Sequence, residues 1–264
     1  MYEFEHHKPA SVADAASAMK GADDGKLLAG GQTMIPTLKQ RLASPSDLID
    51  LSGIAELKGI SVSGGTVTIG AMTNHAAVAA SADIKSALPA LAELADHIGD
   101  AQVRNRGTIG GSVANNDPAA DYPAACLALG ATIHTSQRDI AADDFFTGLF
   151  ETALEEDEII TKISFPVANK AAYVKFPNPA SRYALVGVFV ADGPAGTRVA
   201  VTGAGQDGVF RVPEMESALS SNFSADAIAD VKVSADDLNA DIHASADYRA
   251  HLITVMAKRA VAKI

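Results

Sequence analysis

Two clusters of small residues in this 264-residue chain have the types and spacing to hold a phosphorylated ligand. The first is Ala29-Gly30-Gly31-Gln32-Thr33, at the end of a short apolar run. The second is Thr108-Ile109-Gly110-Gly111-Ser112, with Arg104 and Arg106 before it and Asn115, Asn116 and Asp117 after it. Glycine has no Cβ, so main-chain N–H groups there can approach phosphate oxygens without a clash. Thr33, Thr108 and Ser112 add hydroxyl donors. Either cluster alone is equally an ordinary β-to-α turn that needs positive φ. As a pair they can close on one ligand from two sides. Asp121 fits a carboxylate accepting hydrogen bonds from sugar or ribityl hydroxyls, and fits equally an N-cap for the run Tyr122–Leu129.

Other constellations lead away from substrate chemistry. Gly203-Ala204-Gly205-Gln206-Asp207-Gly208 matches G-x-G-x-x-G, but the β-like Val209-Phe210-Arg211-Val212-Pro213 follows where a dinucleotide fingerprint needs a helix. It reads as a hairpin turn. The seven histidines show no metal-ligand spacing. No G-x-S-x-G elbow is present, and Cys126 reads as a small core residue. The run Glu155-Glu156-Asp157-Glu158 reads as a solvated loop. No catalytic residue and no metal site is assigned. A ligand cradle without an acid–base pair points to a redox cofactor that carries its own reactive atoms and needs only positioning.

Composition narrows the class further. Hydrophobic residues make up 48% of the chain, which argues for a folded protein with ample core. The net charge of −11 argues against a nucleic-acid surface. One cysteine excludes a disulfide framework and a cysteine-ligated iron–sulfur cluster in this chain. The segment Met1–Pro9 lacks a signal-peptide pattern, and no apolar run approaches the ~20 residues of a membrane span. A cytoplasmic location is expected.

The elements that must position these residues follow from periodicity. Ser11–Met19 and Met34–Leu42 read as helices, and Lys26–Ala29 and Asp47–Leu51 as strands, giving an α/β opening. Ile60–Gly70 is a hairpin around Ser63-Gly64-Gly65. Asn74–Ala80, Ala87–Gly99 and Pro123–Gly130 read as helices, with strands at Ala131–Thr135 and Glu158–Phe165. Tyr173–Phe176, Ala184–Val190 and Arg198–Gly203 then read as three strands, followed by helices at Pro213–Leu219, Ala225–Val231 and Ala246–Ile264.

The two loops, with Ile69-Gly70-Ala71-Met72-Thr73-Asn74-His75, Asp117-Pro118-Ala119-Ala120-Asp121 and Gly203-Ala204-Gly205 ahead of Glu214-Met215-Glu216, resemble the FAD-binding medium subunit of the molybdenum hydroxylase family, which includes xanthine dehydrogenase and aerobic carbon monoxide dehydrogenase. The resemblance spans essentially the whole chain. It implies an α+β fold: a two-lobed FAD-binding domain of vanillyl-oxidase (PCMH) type over 1–168, with lobes of about 1–56 and 57–168. A C-terminal α+β domain over 169–264 follows, with a three-stranded antiparallel sheet and helices. It implies that Leu28, Ala29, Gly30, Gly31, Gln32, Thr33, Met34 and Ile35, together with Thr108, Ile109, Gly110, Gly111 and Ser112, hold the diphosphate and ribityl chain. Asp121 would contact FAD hydroxyls, Ile98 and Ile163 would be apolar flavin contacts, and Thr73 joins the set by position. Lys175 would lie on the isoalloxazine side. Tyr183, with Tyr173 as the second candidate, would cover the flavin. Ser112 stands where the family usually has Asn.

The resemblance further implies partners: a large molybdopterin subunit that oxidises substrate and a small subunit with two 2Fe-2S clusters, in a dimer of heterotrimers. Electrons would pass through the clusters to FAD and on to an external acceptor such as a quinone, the carbon monoxide dehydrogenase type being favoured. The alternatives are a self-sufficient flavin reductase or oxidase of the same fold, and a non-flavin binding domain whose glycine loops are turns.

Overall fold

A computed structural model describes residues 1–264. The chain opens with β1 (Glu5–His7), α1 (Val12–Gly21), β2 (Gly25–Leu28), α2 (Met34–Lys39) and β3 (Asp47–Asp50). β3 lies between β1 and β2 and is parallel to both, the arrangement that α-helical crossovers impose. Ser11 starts α1 by accepting a hydrogen bond from Asp14 N. Ala15, Ile49, Leu51 and Ile54 close a small core beneath this sheet.

The next unit is built on a five-stranded antiparallel sheet. The hairpin β4 (Ile60–Ser63) and β5 (Thr66–Gly70) turns at Gly64 and Gly65, both at positive φ. Six helices follow: α3 (His75–Ala80), α4 (Ala82–Ala87), α5 (Pro89–Asp96), α6 (Ala101–Arg106), α7 (Ile109–Asn115) and α8 (Tyr122–Leu129). Then come β6 (Thr132–Thr135), β7 (Asp139–Ala141), α9 (Ala142–Phe145), the hairpin β8 (Phe146–Gly148) and β9 (Glu151–Thr152), and β10 (Ile160–Pro166). The sheet order is β4-β5-β10-β6-β7. Every residue of α8 is buried, which explains why its sequence shows no polar face.

The C-terminal sheet has four strands: β11 (Lys170–Pro177), β12 (Ala184–Gly193), β13 (Gly196–Gly205) and β14 (Gly208–Arg211). The fourth strand is the far arm of the G-x-G-x-x-G turn, which is a hairpin between β13 and β14. On β12, Phe189 and Ala191 face the core around α8, while Val186, Val188 and Val190 face α10 (Pro213–Ser221) and α11 (Ala246–Lys263). Both faces are covered, so the strand reads as a continuous apolar run instead of an alternating one.

Two expectations about local structure change. Ala225–Val231 is not an α-helix; only Ala225–Ile228 forms a 3-10 turn, started by Ser224. Thr108–Ser112 is not a loop: Thr108 caps α7, and the glycines lie in its first turn. The Gly-Gly pair lowers intrinsic helix propensity, and the tertiary packing of that turn overrides it.

Candidate functional site

The first glycine cluster follows β2 directly. A Cβ on Gly30 would lie 2.3 Å from the carbonyl oxygen of Arg106 and 2.7 Å from Gly107 Cα. Only glycine lets this turn rest against the end of α6. Gly31 adopts φ +74°. The carbonyls of Gly31 and Thr33 accept from Ile35 N and Thr37 N, whereas the amides of Gly30, Gly31, Gln32 and Thr33 make no hydrogen bond within the chain. Four adjacent free donors are what a diphosphate requires.

The second cluster works differently. Ile109 N donates to Thr73 O, Gly110 N to Ala71 O, Gly111 N to Thr108 Oγ1 and Ser112 N to Thr108 O. These amides are already satisfied, which corrects the expectation that they line up against phosphate. The glycines are needed instead for packing: a Cβ on Gly110 would lie 2.5 Å from Ala71 Cβ. Through Gly111 this turn also meets the first, since a Cβ there would stand 3.1 Å from Ala29 Cβ.

The opposite end is built from side chains. Asp121 precedes α8 but makes no cap hydrogen bond. Its carboxylate accepts from Tyr173 Oη (2.5 Å) and pairs with Lys175 Nζ (2.9 Å). Tyr173 and Lys175 alternate on β11 and therefore share one face, the one towards α5. Lys175 Nζ also donates to His97 O (3.2 Å). The Asp121 and Lys175 side chains are only 5% and 4% exposed. Burial pushes the Asp121 carboxyl up, opposed by Lys175 and Tyr173, and burial holds the Tyr173 phenol well above its usual range. The turn carrying Asp121 is held from the C-terminal sheet, where Thr202 Oγ1 donates to Ala120 O (2.6 Å) and Gly203 N to Pro118 O (2.8 Å).

Both ends open into one cleft of about 1300 Å³. Of the residues expected to bind cofactor, Ala29, Gly30, Gly31, Gln32, Thr33, Met34, Ile98, Thr108, Gly110, Gly111, Ser112, Asp121, Lys175 and Tyr183 line it. Leu28, Ile35, Thr73, Ile109 and Ile163 do not. Ile163 is fully buried in mid-sheet, paired with Ile69 and Ile133, and the cleft wall near it is made by Ile159 and Ile160 instead. Thr73 spends its hydroxyl on Gly59, accepting from its N–H and donating to its carbonyl. Of the two tyrosines, Tyr173 lies wholly inside the core with its hydroxyl on Asp121, so it cannot cover a ring. Tyr183 is half exposed and lines the cleft.

Sequence reasoning missed three groups on the cleft wall. His75 was given no site role, yet its ring stands beside Gly107, whose Cβ would meet Nε2 at 2.6 Å. Burial, with Arg104 nearby, holds it neutral, with its pKa lowered to about 4. Asp117, pushed up by burial, and Arg182, which packs over Gly99, also line the cleft. The signal for His75 and Asp117 was their membership in the short motifs around Thr73 and Asp121.

The cleft exceeds the ~300–1,000 Å³ of pockets for drug-sized ligands. With free amides at one end and a buried cation at the other, it suits a long ligand that carries a diphosphate and an electron-accepting ring. FAD has both. Residues 2–168 match the family described as the FAD binding domain in molybdopterin dehydrogenase. The chain belongs to the FAD-binding medium subunits of the molybdenum hydroxylases. This FAD-binding subunit is 36% identical to the carbon monoxide dehydrogenase medium chain of Hydrogenophaga pseudoflava, over 98% of this chain and 96% of that one. It is 34% identical to the nicotine 6-hydroxylase medium subunit of Paenarthrobacter nicotinovorans, with the same shares covered. A solved structure of reconstituted carbon monoxide dehydrogenase from Oligotropha carboxidovorans superposes with a TM-score of 0.90 at 33% identity, covering 98% of this chain and 96% of that one. The medium subunit therefore carries FAD and works as one component of a multi-subunit oxidoreductase. No helix in it is long and apolar enough to cross a membrane.

Proposed function

We propose that this subunit is the electron outlet of its complex: FAD held here takes electrons from 2Fe-2S clusters on a small subunit and passes them to an external acceptor. The observation that carries this reading is the division of the cleft. Free amides of Gly30–Thr33 would hold the diphosphate, and Lys175, paired with Asp121, would meet the ring, with Tyr183 over it. FAD supplies the chemistry of accepting and releasing electrons one or two at a time. The residues bind and orient it, and the buried cation offsets the negative charge that the ring gains. With its one cysteine buried in α8, the chain has no ligand set for a cluster.

In this reading residues 1–168 form the FAD domain and 169–264 a second domain that closes the cleft, in a dimer of heterotrimers. Carbon monoxide is the favoured substrate of the complex, supported by the likeness to carbon monoxide dehydrogenase chains, and its oxidation would take place on the large molybdenum subunit. The test compares the purified complex with this chain alone. The chain alone should bind FAD in a 1:1 ratio and oxidise neither carbon monoxide nor nicotine. In the complex, carbon monoxide should bleach the flavin absorbance. Flavin reduction by nicotine alone would reassign the substrate, and steady NAD(P)H oxidation by the isolated chain would replace the relay with a self-sufficient reductase.

A further inference from the structure

The buried phenol of Tyr173 has no part in the cradle described so far, yet the structure makes room for it. A Cβ on Gly187 would lie 2.3 Å from Tyr173 Oη. Gly187 of β12 stands opposite Lys175 on β11 and opposite Thr202 on β13, so Lys175, Gly187 and Thr202 form one row across three strands. The phenol sits in the gap in this row and donates to Asp121 Oδ1. Lys175 meanwhile uses two of its three N–H donors on Asp121 and His97 O, leaving one for the cleft. Asp121 is therefore shared between a neutral donor behind it and a cation in front of it.

We propose that Tyr173 is a positioning residue for the flavin: its phenol takes up part of the negative charge of Asp121, keeping that carboxylate ionised and leaving the Lys175 cation available to the ring. The inference rests on the FAD reading of the cleft and goes beyond it by giving a role to a residue that cannot touch the cofactor. Without the phenol, Asp121 loses a hydrogen bond made to its charged form and binds a proton more readily. Once Asp121 is protonated, Lys175 faces the ring with no counter-charge. The charge beside the flavin then changes at a higher pH than in the wild type. The titratable groups facing Asp121 are Tyr173 and Lys175 from β11, His97 beyond α5, Tyr122 on α8 and Tyr183 at the cleft, with Asp117 on the other side of Tyr183. Burial holds Tyr122 well above its usual range, and burial with the two nearby carboxylates raises Tyr183, so both phenols stay neutral in the range where Asp121 would titrate.

The test uses Tyr173→Phe and a second variant with 3-fluorotyrosine placed at 173, which keeps the shape and strengthens the donor. The first readout is the 13Cγ resonance of Asp121, followed against pH in the full chain and assigned with Asp121→Asn. It needs no bound flavin, so it holds whether or not the relay reading stands. Tyr173→Phe should raise the proton affinity of Asp121 roughly tenfold, and fluorotyrosine should lower it. The second readout is the flavin midpoint potential against pH in the assembled complex. Tyr173→Phe should move the Asp121-linked break to higher pH, and Tyr173→Phe/Asp121→Asn should remove it. An unmoved Asp121 titration in both variants overturns the coupling. A shifted titration with potential curves parallel to wild type overturns the role toward the flavin.

Discussion

The two ends of the cleft are built to meet a ligand by opposite means. The Gly30–Thr33 end is made of backbone, with its free amides close together in sequence. The Asp121 end is made of side chains brought from α8 and β11, fully buried and mutually neutralised. Backbone donors cannot titrate and are hard to remove by mutation. They fail only when something forces the turns apart. An ion pair is the reverse, since each partner is costly once the other is gone. One end should therefore respond to volume and the other to charge.

Asp121→Ala tests this contrast most severely. It leaves Lys175 as an uncompensated buried cation, and the unfolding free energy measured in urea should drop by about 3–5 kcal/mol. A loss below that of an exposed pair would mean that water reaches Lys175. The glycine end holds one buried titratable group, His75. Its folded pKa of about 4 lies below the unfolded 6.5, so the unfolded chain takes up the proton first. The contribution is complete above the unfolded value and is lost as pH falls from 6.5 towards 4, by roughly 3 kcal/mol. His75→Phe should flatten that part of the stability-versus-pH curve, and an unchanged slope would place the titration elsewhere. Gly30→Ala adds a methyl against the Arg106 carbonyl. Overpacking should cost about 1–3 kcal/mol of stability, and the displaced turn should lower FAD affinity by roughly tenfold to a hundredfold in a fluorescence titration. Ser112→Ala is the mildest change. It removes one hydroxyl donor while Ser112 N stays on Thr108 O, and it should weaken FAD binding by about 0.5–1.5 kcal/mol.

The same contrast explains what the sequence could reveal. Both glycine clusters were visible because a run of small residues is a local signal, and the longer strands follow from short-range periodicity, whereas the short β1, β7, β8 and β9 carry too few residues to show one. What each glycine does was not visible. Gly110 and Gly111 read as a phosphate loop, and only the approach of Ala71 and Ala29 shows that they are packing glycines in a helix. Tyr183 and Tyr173 were first and second candidates for the ring over the flavin, and no local signal in the sequence separates them. Tyr173 lies on β11 and Tyr183 in the turn before β12, and the alternation of β11 could be aimed only once α5 was known to lie against it. Ile163 was misplaced for a related reason: it belongs to the strand next to the cleft, on a residue that points into the sheet core. Asp121 as an N-cap was the plainest local reading, and a hydrogen bond from Tyr173, 52 positions away, displaced it.

The grip of Thr202 and Gly203 on the carbonyls of Ala120 and Pro118 bears on how this molecule can be cut and recombined. The matched family region ends at residue 168, but the turn that presents Asp121 is fastened by residues beyond it, and Phe189 and Ala200 belong to the same core as α8. A ribosome releases the glycine loops early, yet the charged wall of the pocket is finished only after β13 emerges. Anyone transplanting this cleft into another scaffold would have to carry the chain through Gly205, because the piece that resembles a self-contained cassette lacks half of its own lock.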